Sequence, residues 1–121
     1  MDLCGCKYLS DDALIALTKN FPNLTYLNLV KICLLILKTW CVLLSDKCVI
    51  NGIAKYLKKL NLLSLYGLAS ITDASIIALE QSKLKFTLET FDINGCKEIS
   101  VREEQTLKTM FPNLKVLIFH S

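Results

Sequence analysis

Histidine is almost missing from this chain. His120, beside the last residue, is the only one among 121. A Cys–His nucleophilic pair would need a third group to orient that imidazole, and His120 reads as a frayed terminal residue. Paired metal ligands are lacking as well. Cys4-Gly5-Cys6 is a C-x-C, but a zinc site takes about four ligands and no second pair lies at ligand spacing. On a strand those two thiols would also point to opposite faces. Long apolar runs are absent: the longest, 30–44, is broken by Lys31 and Lys38 and is shorter than the roughly 20 residues of a bilayer span. The start has no basic segment leading into an apolar one, so nothing marks secretion. Asp2 follows Met1, which excludes N-myristoylation. Nor does one sign of charge dominate. Fourteen basic and eleven acidic residues are scattered through the chain for a net +3, too mixed for nucleic acid. Lys55, Lys58 and Lys59, and Lys83 with Lys85, read as solvated helix ends, where positive charge suits the dipole. The six cysteines, Cys4, Cys6, Cys33, Cys41, Cys48 and Cys96, without a secretion signal imply a reducing compartment, cytoplasmic or nuclear, and free thiols.

What the chain has is leucine. Hydrophobic residues make up 53% of it and mean hydropathy is +0.45. The leucines recur. Leu24-Thr25-Tyr26-Leu27-Asn28-Leu29, Leu60-Asn61-Leu62-Leu63-Ser64-Leu65, Leu88-Glu89-Thr90-Phe91-Asp92-Ile93 and Leu114-Lys115-Val116-Leu117-Ile118-Phe119 align, with a partial copy at Met1-Asp2-Leu3. The last apolar position falls at Leu3, Leu29, Leu65, Ile93 and Phe119, at intervals of 26, 36, 28 and 26. Repeats of about 20–29 residues are the period of leucine-rich repeats; one interval is too long by about nine residues on that scale. Removing Val30–Lys38 leaves Leu29-Thr39-Trp40-Cys41 and restores the pattern L-x-L-x-x-C, so these nine residues read as an insertion bulging beside the sheet, with Leu29 still in place. A valine codon begins GT and a lysine codon can end AG, so the stretch also fits a short intron read through in frame.

Each part of the pattern has a physical reason. In L-x-L the leucines alternate with polar residues, so one strand face is buried and the other wet. Ser10-Asp11, Ser45-Asp46 and Thr72-Asp73 supply N-caps, and their aspartates suit a helix start. Ser100-Val101-Arg102-Glu103 has the capping-box spacing. Apolar residues follow at helical spacing: Ala13, Leu14 and Leu17; Val49, Ile50, Ile53 and Leu57; Ile76, Ile77 and Leu79. Phe21-Pro22-Asn23-Leu24 and Phe111-Pro112-Asn113-Leu114 mark the return from helix to strand, where proline stops the helix. Gly5, Gly67 and Gly95 share one position, where the strand leaves into the loop, and do not form a phosphate-binding loop. Cys6, Cys41 and Cys96 share a turn position with Leu68, which makes them buried hydrophobes with a weak S–H donor rather than metal ligands. The expected fold is α/β: a leucine-rich-repeat solenoid, a right-handed horseshoe fragment with parallel strands on the concave face and helices on the convex face. The whole chain, 1–121, is one domain of units 1–23, 24–59 with the inserted segment 30–38, 60–87, 88–113 and a partial 114–121. Neither end has an atypical polar cap, which predicts association through exposed edges.

The motifs Leu3-Cys4-Gly5-Cys6-Lys7-Tyr8-Leu9-Ser10-Asp11 and Ile93-Asn94-Gly95-Cys96-Lys97-Glu98-Ile99-Ser100 resemble the cysteine-containing repeats of F-box and leucine-rich-repeat proteins. The likeness covers nearly the whole chain apart from about 30–38. It implies repeats that hold a ubiquitin-ligase substrate while an F-box docks onto the ligase core; no F-box is read within these 121 residues.

Function is expected on the outward strand positions: Tyr26 and Asn28; Leu62, Ser64 and Tyr66; Thr90, Asp92 and Asn94; with Asp2, Cys4, Val116, Ile118 and His120 in equivalent places. Tyrosine combines apolar area with one hydroxyl and favours interfaces, and Tyr26, Leu62 and Tyr66 are expected to cluster with Asn28 and Asp92 nearby. Ser64 points outward, so truncating it costs under about 0.5 kcal/mol, whereas Leu65 is enclosed. The expected function is protein recognition, without enzymatic activity, cofactor, metal, small molecule, nucleic acid or membrane. The alternative is a structural repeat segment, or a gene-model fragment, with no partner of its own.

Overall fold

A computed structural model of the chain describes residues 10–29 and 44–119. The first strand, the insertion Val30–Lys38, Trp40, Cys4, Cys6, Cys33, Cys41 and His120 lie outside the described residues. What is described is an α/β protein. Helix α1 spans Asp11–Asn20 and strand β1 Tyr26–Asn28. Helix α2, 46–56, is an α turn at Asp46–Cys48, a π-helical turn at Val49–Ile53 and a last α turn at Ala54–Tyr56. Strand β2 is Leu62–Ser64 and helix α3 is Asp73–Glu80, followed by a 3-10 turn at Lys83–Lys85. Strand β3, Thr90–Asp92, helix α4, Glu104–Met110, and strand β4, Val116–Ile118, complete the order. Among the described residues no helix is long and apolar enough to cross a membrane.

The strands form one sheet in the order β1-β2-β3-β4, every pair parallel. Leu27 pairs with Leu63, Leu63 with Phe91 and Phe91 with Leu117. These offsets of 36, 28 and 26 equal the intervals between the repeated leucines of the sequence. The nine surplus residues therefore leave β1 in register. Leu29, one residue past β1, is fully buried, as are Leu65 and Ile93. Parallel strands need a long crossover, and here each crossover carries a helix whose apolar side joins the same core. Leu14, Val49, Ile53, Ile76, Leu79 and Leu107 are buried with Leu27, Leu63 and Phe91 in one cluster. Phe111 closes it edge-on against Phe91, with ring centroids 5.8 Å apart. Two residues expected inside are not: Ile50 is 40% and Ile77 50% exposed. They occupy equivalent places on neighbouring helices, four residues after Asp46 and Asp73, and turn away from the sheet.

Helices α1 and α2 approach closely because Gly52 has no side chain. A Cβ there would stand 3.0 Å from Thr18 Oγ1 and 3.2 Å from Ile15 Cα. Thr18 is buried beneath it, its hydroxyl donating to the Ile15 carbonyl at 2.8 Å. The loops after β2 and β3 repeat one another. The Leu68 and Cys96 amides donate back to Leu65 and Ile93 at 3.2 and 3.1 Å, and those of Ile71 and Ile99 to Leu68 and Cys96. Gly67 and Gly95 have φ of +73° and +83°, a region costly to any side chain. A Cβ on Gly95 would also lie 3.1 Å from Gly67 Cα, so the two loops stack almost backbone on backbone.

The aspartates after the N-caps do something the sequence reading did not assign them. Ser10, Ser45 and Thr72 cap their own helices, accepting from Ala13, Lys47 and Ala74 amides. Each following aspartate reaches across to the next unit. Asp11 accepts from the Ser45 amide at 2.9 Å, the Ser45 hydroxyl at 2.7 Å and the Cys48 amide at 3.2 Å. Asp46 accepts from the Thr72 amide and hydroxyl at 2.8 and 2.6 Å and from the Ser75 hydroxyl. Asp73 accepts from the Ser100 amide at 2.9 Å, the Ser100 hydroxyl and the Val101 amide at 3.3 Å. The capping box expected at Ser100 is not formed. Helix α4 starts only at Glu104, with Glu103 as its N-cap and no side-chain cap bond. Val101 stands where the other units carry aspartate, and Arg102 folds back to donate to the Ile99 carbonyl at 2.8 Å and to that of Cys96.

Two outcomes are expected. Leu65→Ala should cost about 2–5 kcal/mol, the range for emptying a packed leucine site, measured as a shift in urea midpoint. A loss below that of an exposed-site variant such as Ile77→Ala would contradict its enclosure. The second concerns pH. Burial raises the Asp46 carboxyl, but hydrogen bonds from Ser75 and Thr72 outweigh it and hold it below its ordinary 3.8. At Asp73 the bonds from Ser100 and Val101 likewise outweigh burial. Groups titrating lower when folded stabilise fully above their unfolded value, and that stabilisation is lost as pH falls through the folded one. Between about pH 5 and 3 the protein should lose stability faster than Asp46→Asn/Asp73→Asn does. Parallel losses would show that the carboxylates are not the linkage.

Candidate functional site

The sheet has a face turned away from the helices, and the alternation of β-structure decides which side chains stand on it. Register sets them in rows, with neighbouring strands about 4.8 Å apart. One row is Tyr26, Leu62, Thr90 and Val116; the next is Asn28, Ser64, Asp92 and Ile118. Tyr66 and Asn94 lie two residues beyond β2 and β3, tied together where the Gly67 amide donates to the Asn94 carbonyl at 2.8 Å. Every described position expected to face outward is thus on this face or its extension. Their exposure differs. Tyr26 is 49%, Tyr66 48%, Val116 47% and Ile118 39% exposed; Asn28, Leu62, Thr90, Asp92 and Asn94 are half-buried.

Ser64 corrects the sequence reading. It occupies an outward position but is buried, at 3%. Its hydroxyl lies 3.4 Å from Asp92 Oδ2, to which it donates, and accepts from the Tyr66 amide at 3.4 Å. Ser64 supports the face from beneath, and its truncation should cost nearer 1 kcal/mol, about that of a buried hydrogen bond. Asp92 is the polar centre of the site, since its Oδ1 also accepts from the Asn94 amide at 3.0 Å. Tyr26 pairs with Leu62 in the register, and Tyr66 lies in the turn that follows β2. The face presents Tyr26, Leu62, Val116 and Ile118 together with the polar Asn28, Thr90 and Asp92. Val116 and Ile118, in equivalent places of the leucine pattern, add apolar area on β4.

Two of the thiols, Cys48 and Cys96, are buried. Cys96 is fully buried and donates to the Leu65 carbonyl of the neighbouring loop at 3.0 Å. Leu68, in the equivalent turn, is also buried. Burial pushes the Cys96 thiol up, with the Asp92 charge adding to it against the Leu68 amide and Arg102. Cys48 is driven far above its ordinary value by burial, then by the charge and hydrogen bond of Asp11. Neither thiol has nucleophilic character at neutral pH. Among the described residues no three His, Cys, Asp or Glu side chains gather into a group that could hold a metal.

No protein-family model matches the chain, and no curated protein is similar enough to count as a relative. The thiol environments yield a direct test. In the native protein, Cys48 and Cys96 should stay unmodified by iodoacetamide at about pH 8 and react only after unfolding, as read from the masses of the two peptides. Alkylation at the unfolded rate would contradict the buried, protonated thiols.

Proposed function

We propose that this chain is a leucine-rich-repeat segment whose sheet forms the concave face of a solenoid and binds a partner protein there. Four large apolar side chains, Tyr26, Tyr66, Val116 and Ile118, stay in water on a face whose backbone is held by the sheet. This observation carries the reading, because a scaffold with exposed aromatic and aliphatic anchors beside polar residues has the make-up of a recognition surface. Strand offsets of 36, 28 and 26 and aspartate contacts recurring from unit to unit support the stacked architecture. By its resemblance to the repeats of F-box and leucine-rich-repeat proteins, the partner would be a protein delivered for ubiquitination. The role of the chain in this reading is to hold that protein, with no chemistry of its own.

The test is photo-cross-linking with benzophenone placed at Tyr26 or at Tyr66 in the full chain, with Ile77 on the helical side as the control position. Partner adducts should form from the sheet positions and not from Ile77. For the captured partner, Tyr26→Ala and Tyr66→Ala should each weaken binding by about 1–2 kcal/mol, roughly tenfold, without lowering thermal stability. Equal cross-linking from Ile77, or unchanged affinity in both variants, would instead support a segment that only sustains a larger array.

A further inference from the structure

The loops that return each helix to its strand form a second surface, at the edge where the strands begin. It is basic. Lys55, Lys58, Lys59, Lys83, Lys85 and Lys115 lie at helix ends or in the stretches that lead into the next strand, and of these Lys59 and Lys115 line one hollow. The acidic residues on that edge are Glu80 and Glu89, and both are already occupied. Lys85 holds Glu80 at 3.1 Å and Lys115 holds Glu89 at 3.2 Å. Lys59 is exposed and has no ion-pair partner among the described residues.

A hollow of about 560 Å³ opens in this edge, lined among others by Lys59, Asn61, Phe86, Glu89, Asn113 and Lys115. Its floor is firm: the Glu89 and Lys115 amides donate to the Asn61 and Glu89 carbonyls, each at 2.8 Å. Phe86 is 61% exposed, yet its place is set. Its carbonyl accepts from Asn113 Nδ2 at 2.6 Å, and the Lys85 ammonium lies over its ring, 5.6 Å from the centroid. An aromatic ring kept in water at a fixed position, beside an unpaired ammonium, suits a ligand with both apolar and anionic groups. The Lys115–Glu89 pair is itself exposed, at 74% and 44%, and such pairs contribute little, so Lys115 can take a new carboxylate at small cost.

We propose that this groove binds an extended acidic peptide segment of another protein, with an apolar side chain laid on Phe86 and carboxylates on Lys59 and Lys115. Glu89 and the amide of Asn61 favour a peptide over other polyanions. A nucleic-acid backbone carries a charge at every link and would meet the Glu89 carboxylate, whereas a peptide can set a neutral residue there. The Asn61 amide can both donate to and accept from a peptide main chain. A lipid surface is flat and cannot reach into a hollow. The hollow adjoins the sheet face, since Thr25, Asn61, Glu89 and Lys115 each precede a residue of its first row, but Lys59 and Phe86 lie outside that face.

The experiment titrates the full chain into a fluorescein-labelled peptide of repeated Glu-Glu-Leu and reads anisotropy at low salt. Lys59→Glu should weaken binding by about tenfold or more, and added salt should weaken the unaltered protein, because carboxylates on exposed ammonium groups are screened. Phe86→Ala should weaken it by about fivefold, with thermal melting of both variants unchanged. Tyr26→Ala should bind the peptide as the unaltered chain does. The proposal is overturned by an unchanged affinity in Lys59→Glu, by equal binding of a Lys-Lys-Leu peptide, or by a loss in Tyr26→Ala instead. It is also overturned if phosphatidylserine vesicles or oligothymidylate bind more tightly than the peptide with the same dependence on Lys59.

Discussion

The structure depends on a carboxylate that serves the neighbouring unit rather than its own. A helix start leaves backbone amides without partners, and the serine or threonine N-cap satisfies one of them. Its hydroxyl has one proton and two lone pairs. At Ser45 and Thr72 a lone pair accepts from the helix's own amide, while the proton goes to Asp11 or Asp46 of the preceding unit. The aspartate thereby fixes the hydroxyl's orientation and also takes the amides of Ser45 and Cys48, or that of Thr72. One side chain thus couples two helix starts through hydrogen bonds that span 26 to 37 residues of sequence. Charge-assisted bonds of this kind are stronger than neutral ones.

Spacing between units follows from this coupling together with the close contacts of the loops. Gly95 lies against Gly67, and the Cys96 thiol reaches the Leu65 carbonyl. A short thioether-free side chain with a weak donor fits a turn whose neighbour offers a carbonyl, and Leu68 fills the same place by packing alone. Residues on the outer face of the sheet sit about 4.8 Å apart across strands, whatever their chemistry.

The last unit shows what happens where one element of the coupling is missing. Val101 replaces the aspartate, Ser100 binds back to Asp73 but caps no helix, and α4 is delayed to Glu104. Arg102 instead occupies the carbonyls of the loop. The core side is unaffected, since Leu107 and Phe111 remain fully buried. Apolar burial therefore places the helix, and the polar coupling decides where it begins.

Much of this was legible in the sequence. Alternating leucines at intervals of 36, 28 and 26 correctly located three strand pairings, and the Ser-Asp and Thr-Asp steps located three helix starts. Both signals are local: alternation reports one buried strand face, and a short hydroxyl side chain reports free amides next to it. What tertiary structure decided were the partners across units. The reach of Asp11, Asp46 and Asp73, the burial of outward Ser64, and the exposure of Ile50 and Ile77 all depend on how far one unit lies from the next. A period states which residues recur. It does not state the separation at which they meet, and hydrogen bonds and burial are settled by that separation.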